Sequence, residues 1–181
     1  TLRMCGLEVL TLDADENYPD GCFVEDTAVV TPEVAIITRP GAESRRGEEL
    51  EIRKVLERYR TTEQILAPGT LDGGDILRAD KHFYIGLSQR TNKEGAVQLT
   101  KILSRFGYTN STVEVRAGLH LKSGIAYLGK DKFIGVEEFS YIASSDNFIM
   151  LDETESYSAN CLRINDFLLI PEGFPKAKKK L

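Results

Sequence analysis

A chain of 181 residues, 41% hydrophobic and 28% charged, carries enough apolar material for a packed core, which excludes a disordered polar segment. Its net charge of −5 excludes a general nucleic-acid binder, and no apolar run is long enough to span a bilayer. Three scattered cysteines, Cys5, Cys22 and Cys161, make neither a disulfide framework nor a zinc set, so the expected compartment is reducing and cytoplasmic.

Along the chain, "LRMCGLEVLTL" reads as the end of a helix, a glycine and a strand. Next comes "GCFVEDTAVV" over residues 21–30, which reads as the start of a strand carrying two adjacent carboxylates, Glu25 and Asp26. Successive strand side chains face opposite sides. At least one of the pair is therefore expected to point inward, where a lone carboxylate is costly.

This stretch opens the first of four copies of one pattern: a polar pair, a short apolar strand, a turn and a second apolar strand. The copies are "EDTAVVTPEVAIITRPG", "GDILRADKHFYIGLS", "SGIAYLGKDKFIGVEE" and "ANCLRINDFLLIPEG", giving hairpins near 25–38, 74–87, 123–137 and 159–171. Asp26, Asp75, Gly124 and Asn160 mark equivalent positions. Thr31-Pro32, Ala79-Asp80, Gly129-Lys130 and Asn165-Asp166 supply the turns.

Helices are expected after the first two hairpins. Ile52, Val55, Leu56 and Tyr59 share one helical face, and Leu99, Ile102, Leu103 and Phe106 repeat the spacing. A capping box from Thr91 to Glu94 and a stop at Gly107 bound the second helix. Strands at 64–67 and 112–115 complete each unit, so the repeat is hairpin, helix, strand. The third copy has a compressed crossover that fits no assigned element. At the end, "GFPKAKKKL" reads as the first turns of a helix with Pro175 near its start, its lysines forming a solvated face. Beginning late in one helix and stopping early in another, residues 1–181 read as one partial α/β repeat domain.

Ionisable groups gather at one end of these strands. Asp20, Glu25 and Asp26 lie close together. Such a cluster suits a solvated loop, or a pocket for a guanidinium, whose planar fork matches carboxylates. It lacks the ligand set of a calcium loop, and the chain has no H-x-x-x-H zinc pattern. In "PGTLDGGDIL", Gly73 and Gly74 allow either close backbone approach or positive φ, or simply a turn. His120, in "AGLHLKSG", stands at the head of the third hairpin, as the acids do in the first two. A lone histidine there reads equally as a hydrogen-bonded core residue. His82 sits mid-hairpin and needs no function.

Taken in order, "YPDGCFVEDTAVVTP", "RPGAESRRGE", "PGTLDGGDIL", "YIGLSQRTN" and "GLHLKSG" resemble the dimethylarginine dimethylaminohydrolase family of the guanidino-group-modifying, or pentein, superfamily. The resemblance implies a pentein-type α/β propeller of repeated ββαβ units, incomplete in this chain. It implies hydrolysis of Nω-methylated arginine to citrulline and a methylamine, through a cysteine thiolate and a histidine. It makes His120 the general acid/base and Asp72 the acid that orients it and supports the guanidinium. Asp26 would pair with the guanidinium nitrogens, and Asp20 and Glu25 would line the pocket. Arg45 and Arg90 would hold the substrate carboxylate and the acids around it. No metal and no cofactor are implied; the partner is a small-molecule methylarginine, and oligomeric state is left open, a homodimer included.

The family's nucleophile lies in a "G-L-T-C"-like segment that this sequence does not contain. Cys161, in "ANCLRIND", does not fit that segment, so residues 1–181 alone are expected to be inactive. An arginine deiminase-like hydrolase and a non-catalytic arginine-binding pentein are the alternatives.

Overall fold

The computed structural model describes residues 1–181, which pack as two compact units, one of residues 14–121 and one of residues 1–13 with 122–181.

The 14–121 unit holds two copies of one topology. In the first, β1 (Ala28–Val30) runs antiparallel to β2 (Val34–Ile37), and β2 runs parallel to β3 (Thr61–Gln64). A parallel pair needs a crossover, and α1 (Glu49–Leu56) supplies it. In the second, β4 (Ile76–Ala79) is antiparallel to β5 (His82–Leu87), which is parallel to β6 (Thr109–Glu114) across α2 (Lys93–Ser104). Both closing strands begin about three residues earlier than the sequence suggests.

Strand β2 is buried along its whole length, as its unbroken run "VAII" requires of a strand covered on both faces. Val34 and Ile36 pack with Ile65, Leu71, Phe83 and Ile85 and with the α2 face formed by Leu99, Ile102 and Leu103. Phe106 lies beyond the end of α2 and is partly exposed, and Tyr59 lies beyond α1 and is exposed. The cap of α2 is Asn92, whose side chain accepts from the Gly95 N–H. Thr91 is therefore not the cap, and its hydroxyl is used elsewhere. Gly107, at φ 77°, ends this segment in the left-handed region, as glycine can without strain.

A single turn of 3-10 helix precedes each first hairpin strand: Val24–Thr27, Gly73–Asp75 and Leu121–Ser123. This corrects the strand reading of "FVED". In a 3-10 turn the strand alternation does not apply, so neighbours need not face opposite sides. Asp26 and Thr27 are both buried, while Glu25 is exposed.

In the other unit, β7 (Ile125–Gly129) is antiparallel to β8 (Lys132–Gly135), which is parallel to β9 (Phe148–Met150). The compressed crossover consists of two 3-10 segments, Glu137–Ile142 and Ser145–Asn147, with Phe139 buried beneath. A last hairpin, β10 (Leu162–Ile164) with β11 (Phe167–Leu169), leads to α3 (Pro175–Lys180), which has proline in its first turn. Ala177 is the buried residue of α3 and its lysines face solvent. The Glu155 carboxylate accepts from the N–H groups of Lys176 and Ala177 there. Residues Leu2–Cys5 form a 3-10 turn closed by Gly6, and Asn165 donates to the Cys5 carbonyl. No helix is long and apolar enough to cross a membrane.

Leu103 is fully buried in the apolar core of the 14–121 unit. Leu103→Ala is expected to cost about 2–5 kcal/mol through lost burial and the cavity left behind, read from urea unfolding midpoints.

Candidate active site

The 3-10 turns and the segments next to them bring four ionisable side chains of the 14–121 unit together. Asp26 comes from the first turn, Asp75 from the second, Asp72 from the residue before it, and His120 from the residue before the third. All four are buried. The approach of the first two turns depends on glycine. A Cβ at Gly73 would lie 2.0 Å from the Glu25 carbonyl oxygen; one at Gly74 would lie 2.8 Å from the His120 ring and 2.9 Å from Asp26 Oδ1. Close approach, not positive φ, is what these two glycines provide.

Asp26 is anchored on both carboxylate oxygens. Oδ1 accepts from the Gly74 N–H at 2.8 Å, and Oδ2 accepts from Arg45 Nη1 at 2.7 Å. The Thr38 hydroxyl donates to the Asp26 carbonyl at 2.7 Å, fixing the backbone as well. Arg45 is spent within the protein. Its Nε reaches both Glu48 oxygens at 3.1 and 3.0 Å, and Nη2 reaches Glu48 Oε2 at 2.7 Å. Burial opposes the charge on Arg45, but the hydrogen bonds from Glu48 and Asp26 more than offset it and push its pKa up. Arg45 is thus a fixed internal cation holding Asp26, rather than a free fork for a substrate carboxylate. The sequence reading missed Glu48, although its place three residues after Arg45 is a spacing that pairs side chains.

Asp72 is fully buried. Its Oδ1 accepts from the Gly41 N–H at 2.8 Å, while Oδ2 has no hydrogen-bond partner. Arg90 Nη1 lies 4.0 Å from Oδ2 and is itself buried without a hydrogen-bond partner. Burial, and then the charge of Asp26, raise the Asp72 pKa, with the Gly41 hydrogen bond opposing.

His120 presents Nε2 3.9 Å from Asp26 Oδ1 and Nδ1 3.4 Å from Asp75 Oδ2. Burial pulls its pKa down, but Asp75 first, then Asp26 and Asp72, outweigh burial and leave it raised. Asp75 is fully buried, takes the Ser88 and Thr91 hydroxyls on Oδ2 at 2.7 Å each, and takes the Leu121 N–H on Oδ1 at 3.0 Å. The carboxylate against the imidazole Nδ1 is that of Asp75, while Asp72, expected to orient the histidine, lies within 4.8 Å of it. Asp72 keeps Oδ2 without a hydrogen-bond partner.

Asp20 and Glu25 are exposed and meet these groups through their backbones. The Asp20 carbonyl faces Arg45 Nη2 at 3.4 Å, and the Glu25 carbonyl packs on Gly73. Asp26, Asp72 and His120 each place one ligand atom within 4.8 Å of the others, the spacing of a cation site. The set does not fit a metal ion. Both Asp26 oxygens are already bound, one of them to a guanidinium that would repel a second compact charge. A planar, delocalised cation with several N–H donors matches Asp72 Oδ2 better. Burial pushes the Cys161 thiol up to about 11, leaving little thiolate at neutral pH.

A family profile described as N,N dimethylarginine dimethylhydrolase, eukaryotic, matches residues 1–136. Dimethylarginine dimethylaminohydrolase of Pseudomonas aeruginosa is 43% identical over 184 residues, spanning 99% of this chain and 72% of the relative. The chain belongs to the dimethylarginine dimethylaminohydrolase family. The Streptomyces coelicolor enzyme is 41% identical over 131 residues, 72% of this chain and 51% of its own length. A solved structure of the Pseudomonas enzyme, a cysteine-to-serine mutant complexed with citrulline, superposes with TM-score 0.93 at 42% identity over 99% of this chain and 72% of that one. The N-terminal domain of the arginine dihydrolase ArgZ bound to product gives TM-score 0.82 at 16% identity, over 92% of this chain and 66% of that one, which shows a shared fold. The fold class is therefore the pentein-type α/β fold of repeated ββαβ units.

Two expectations follow. Arg45→Met would leave Asp26 and Glu48 buried without their cation, and should cost about 3–5 kcal/mol in urea unfolding. His120 has a folded pKa above its ordinary 6.5. Its stabilising share is complete below about pH 6.5 and is lost as pH rises through the higher folded value. Wild-type unfolding free energy should fall over that window, and His120→Asn should flatten the slope.

Proposed function

We propose that these residues bind the guanidinium of an Nω-methylated arginine and move the protons of its hydrolysis to citrulline and a methylamine. The observation that carries this is the fully buried Asp72 carboxylate, which has one oxygen within 4.8 Å of Asp26 and His120 and whose Oδ2 has no hydrogen-bond partner. A buried polar atom without a partner is rare in folded proteins, and a carboxylate oxygen is answered best by a charge-assisted N–H. A substrate guanidinium offers such donors in one plane.

In this reading Asp72 accepts from guanidinium N–H groups and Asp26, already fixed by Arg45, adds the nearby negative charge. A cysteine thiolate attacks the guanidinium carbon and His120 protonates the departing methylamine. Water then adds to the sulfur-bound thiouronium carbon and gives one proton to His120; loss of the second proton to solvent, where the released methylamine takes it up, accompanies expulsion of the thiolate and release of citrulline. None of the three cysteines of residues 1–181 is assigned as that thiolate: Cys161 is held as a thiol, Cys5 is buried, and Cys22 is exposed. Arg90, partly buried beside Asp72, is placed to steady that acid or the far end of the substrate. Asp20 and Glu25 contribute to the rim. A reducing, cytoplasmic setting belongs to the same proposal.

Isothermal titration with asymmetric dimethylarginine tests recognition apart from chemistry. Binding is expected in wild type, weakened about tenfold or more by Asp72→Asn, because a charged partner is lost. A colorimetric citrulline assay on dimethylarginine and on arginine then tests the reaction. Tighter binding and faster citrulline release with unmethylated arginine would move the chain to the deiminase-like alternative. No binding of either compound would remove the guanidinium reading.

A further inference from the structure

We propose that Asp75 is the positioning residue of His120: held by Ser88 and Thr91, it accepts from Nδ1–H and so leaves Nε2 as the proton-exchanging nitrogen. Its significance for catalysis rests on the hydrolase reading above; the geometry does not.

The imidazole is flanked by acids. Asp75 Oδ2 is 3.4 Å from Nδ1, Asp26 Oδ1 is 3.9 Å from Nε2, and Asp72 completes the cluster within 4.8 Å. Nδ1 is fully shielded from solvent and makes no completed hydrogen bond. Buried ring nitrogens are ordinarily satisfied, and Asp75 Oδ2 is the acceptor that faces this one. A modest ring rotation closes the distance, as is common for catalytic groups that tighten only with substrate bound.

The other contacts of Asp75 all hold it for this task. Two hydroxyls donate to the oxygen that faces the ring, and the Leu121 N–H, on the residue after His120, donates to the other. The carboxylate thereby clamps both the histidine side chain and the backbone next to it. Thr91 Oγ1 also accepts from the Asp72 N–H at 3.1 Å, linking the two acids through one side chain. Asp75, not Asp72, is the acid whose carboxylate stands against Nδ1; the Asp72 carboxylate is engaged by the Gly41 N–H and lies near Arg90. A carboxylate held behind the ring in this way fixes which imidazole nitrogen carries the proton.

The chain has only two histidines, which makes nitrogen NMR of histidine-labelled protein decisive. His82 serves as an internal reference, since its ring nitrogens sit 2.8 and 2.9 Å from the Thr109 and Ser111 hydroxyls. In wild type, above the His120 titration midpoint, the neutral ring should carry its proton on Nδ1. A ring protonated on Nε2 overturns the assignment without any variant. In Asp75→Asn the His120 midpoint should fall by about one pH unit or more, because a nearby negative charge is lost, while His82 stays put. An unmoved His120 midpoint in a folded variant also overturns it. The hydrolase reading stands or falls separately on dimethylarginine binding and citrulline release, neither of which enters these spectra.

Discussion

The site depends on holding one buried carboxylate, Asp26, in its charged form. Removing a carboxylate from water is costly unless charge and hydrogen bonds replace the solvent. Here Arg45 replaces it on one oxygen and the Gly74 N–H on the other, while Thr38 pins the backbone. Arg45 is in turn saturated by Glu48. Because these partners come from both of the first two repeats, the Asp26 anchor also fixes how those repeats meet. Gly73 and Gly74 are the steric counterpart, since a side chain at either would strike Glu25 or His120.

Three aspartates in one buried cluster are set apart by their surroundings. Asp26 is paired with a permanent cation, Asp75 is met by hydroxyls and one amide, and Asp72 keeps one oxygen unanswered. The same chemical group thereby stands in three different settings within one cluster. His120 registers all three, for its pKa is raised against burial by their summed negative charge. A site with surplus negative charge of this kind favours a cationic ligand on electrostatic grounds, which agrees with the family the chain belongs to.

Much of this was legible in the sequence. The hairpin repeats, the α2 face of Leu99, Ile102 and Leu103, and the convergence of Asp26, Asp72 and His120 follow from periodicity, turn chemistry and motif. Local pattern determines the hairpins and the helix face because each depends on residues close in the chain, and the repeat puts the acids and His120 at equivalent strand ends. The sequence misjudged features set by partners far along the chain. "FVED" is a 3-10 turn rather than a strand because Asp26 is drawn to Arg45 and to Gly74, 48 residues away. Thr91 yields the cap of α2 to Asn92 because its hydroxyl is needed by Asp75.

The division is clearest around the histidine. The sequence by itself determined that acids and His120 gather at one strand end, since strand direction and repeat length set that placement. Which acid faces which nitrogen was decided only by the tertiary structure. Asp72 and Asp75 lie three residues apart on one turn, and no local rule distinguishes them. The distinction arises where Ser88, Thr91 and Leu121 surround Asp75, and Gly41 and Arg90 approach Asp72. Hydrogen bonding depends on fractions of an ångström, and at that scale only the packed chain assigns the partners.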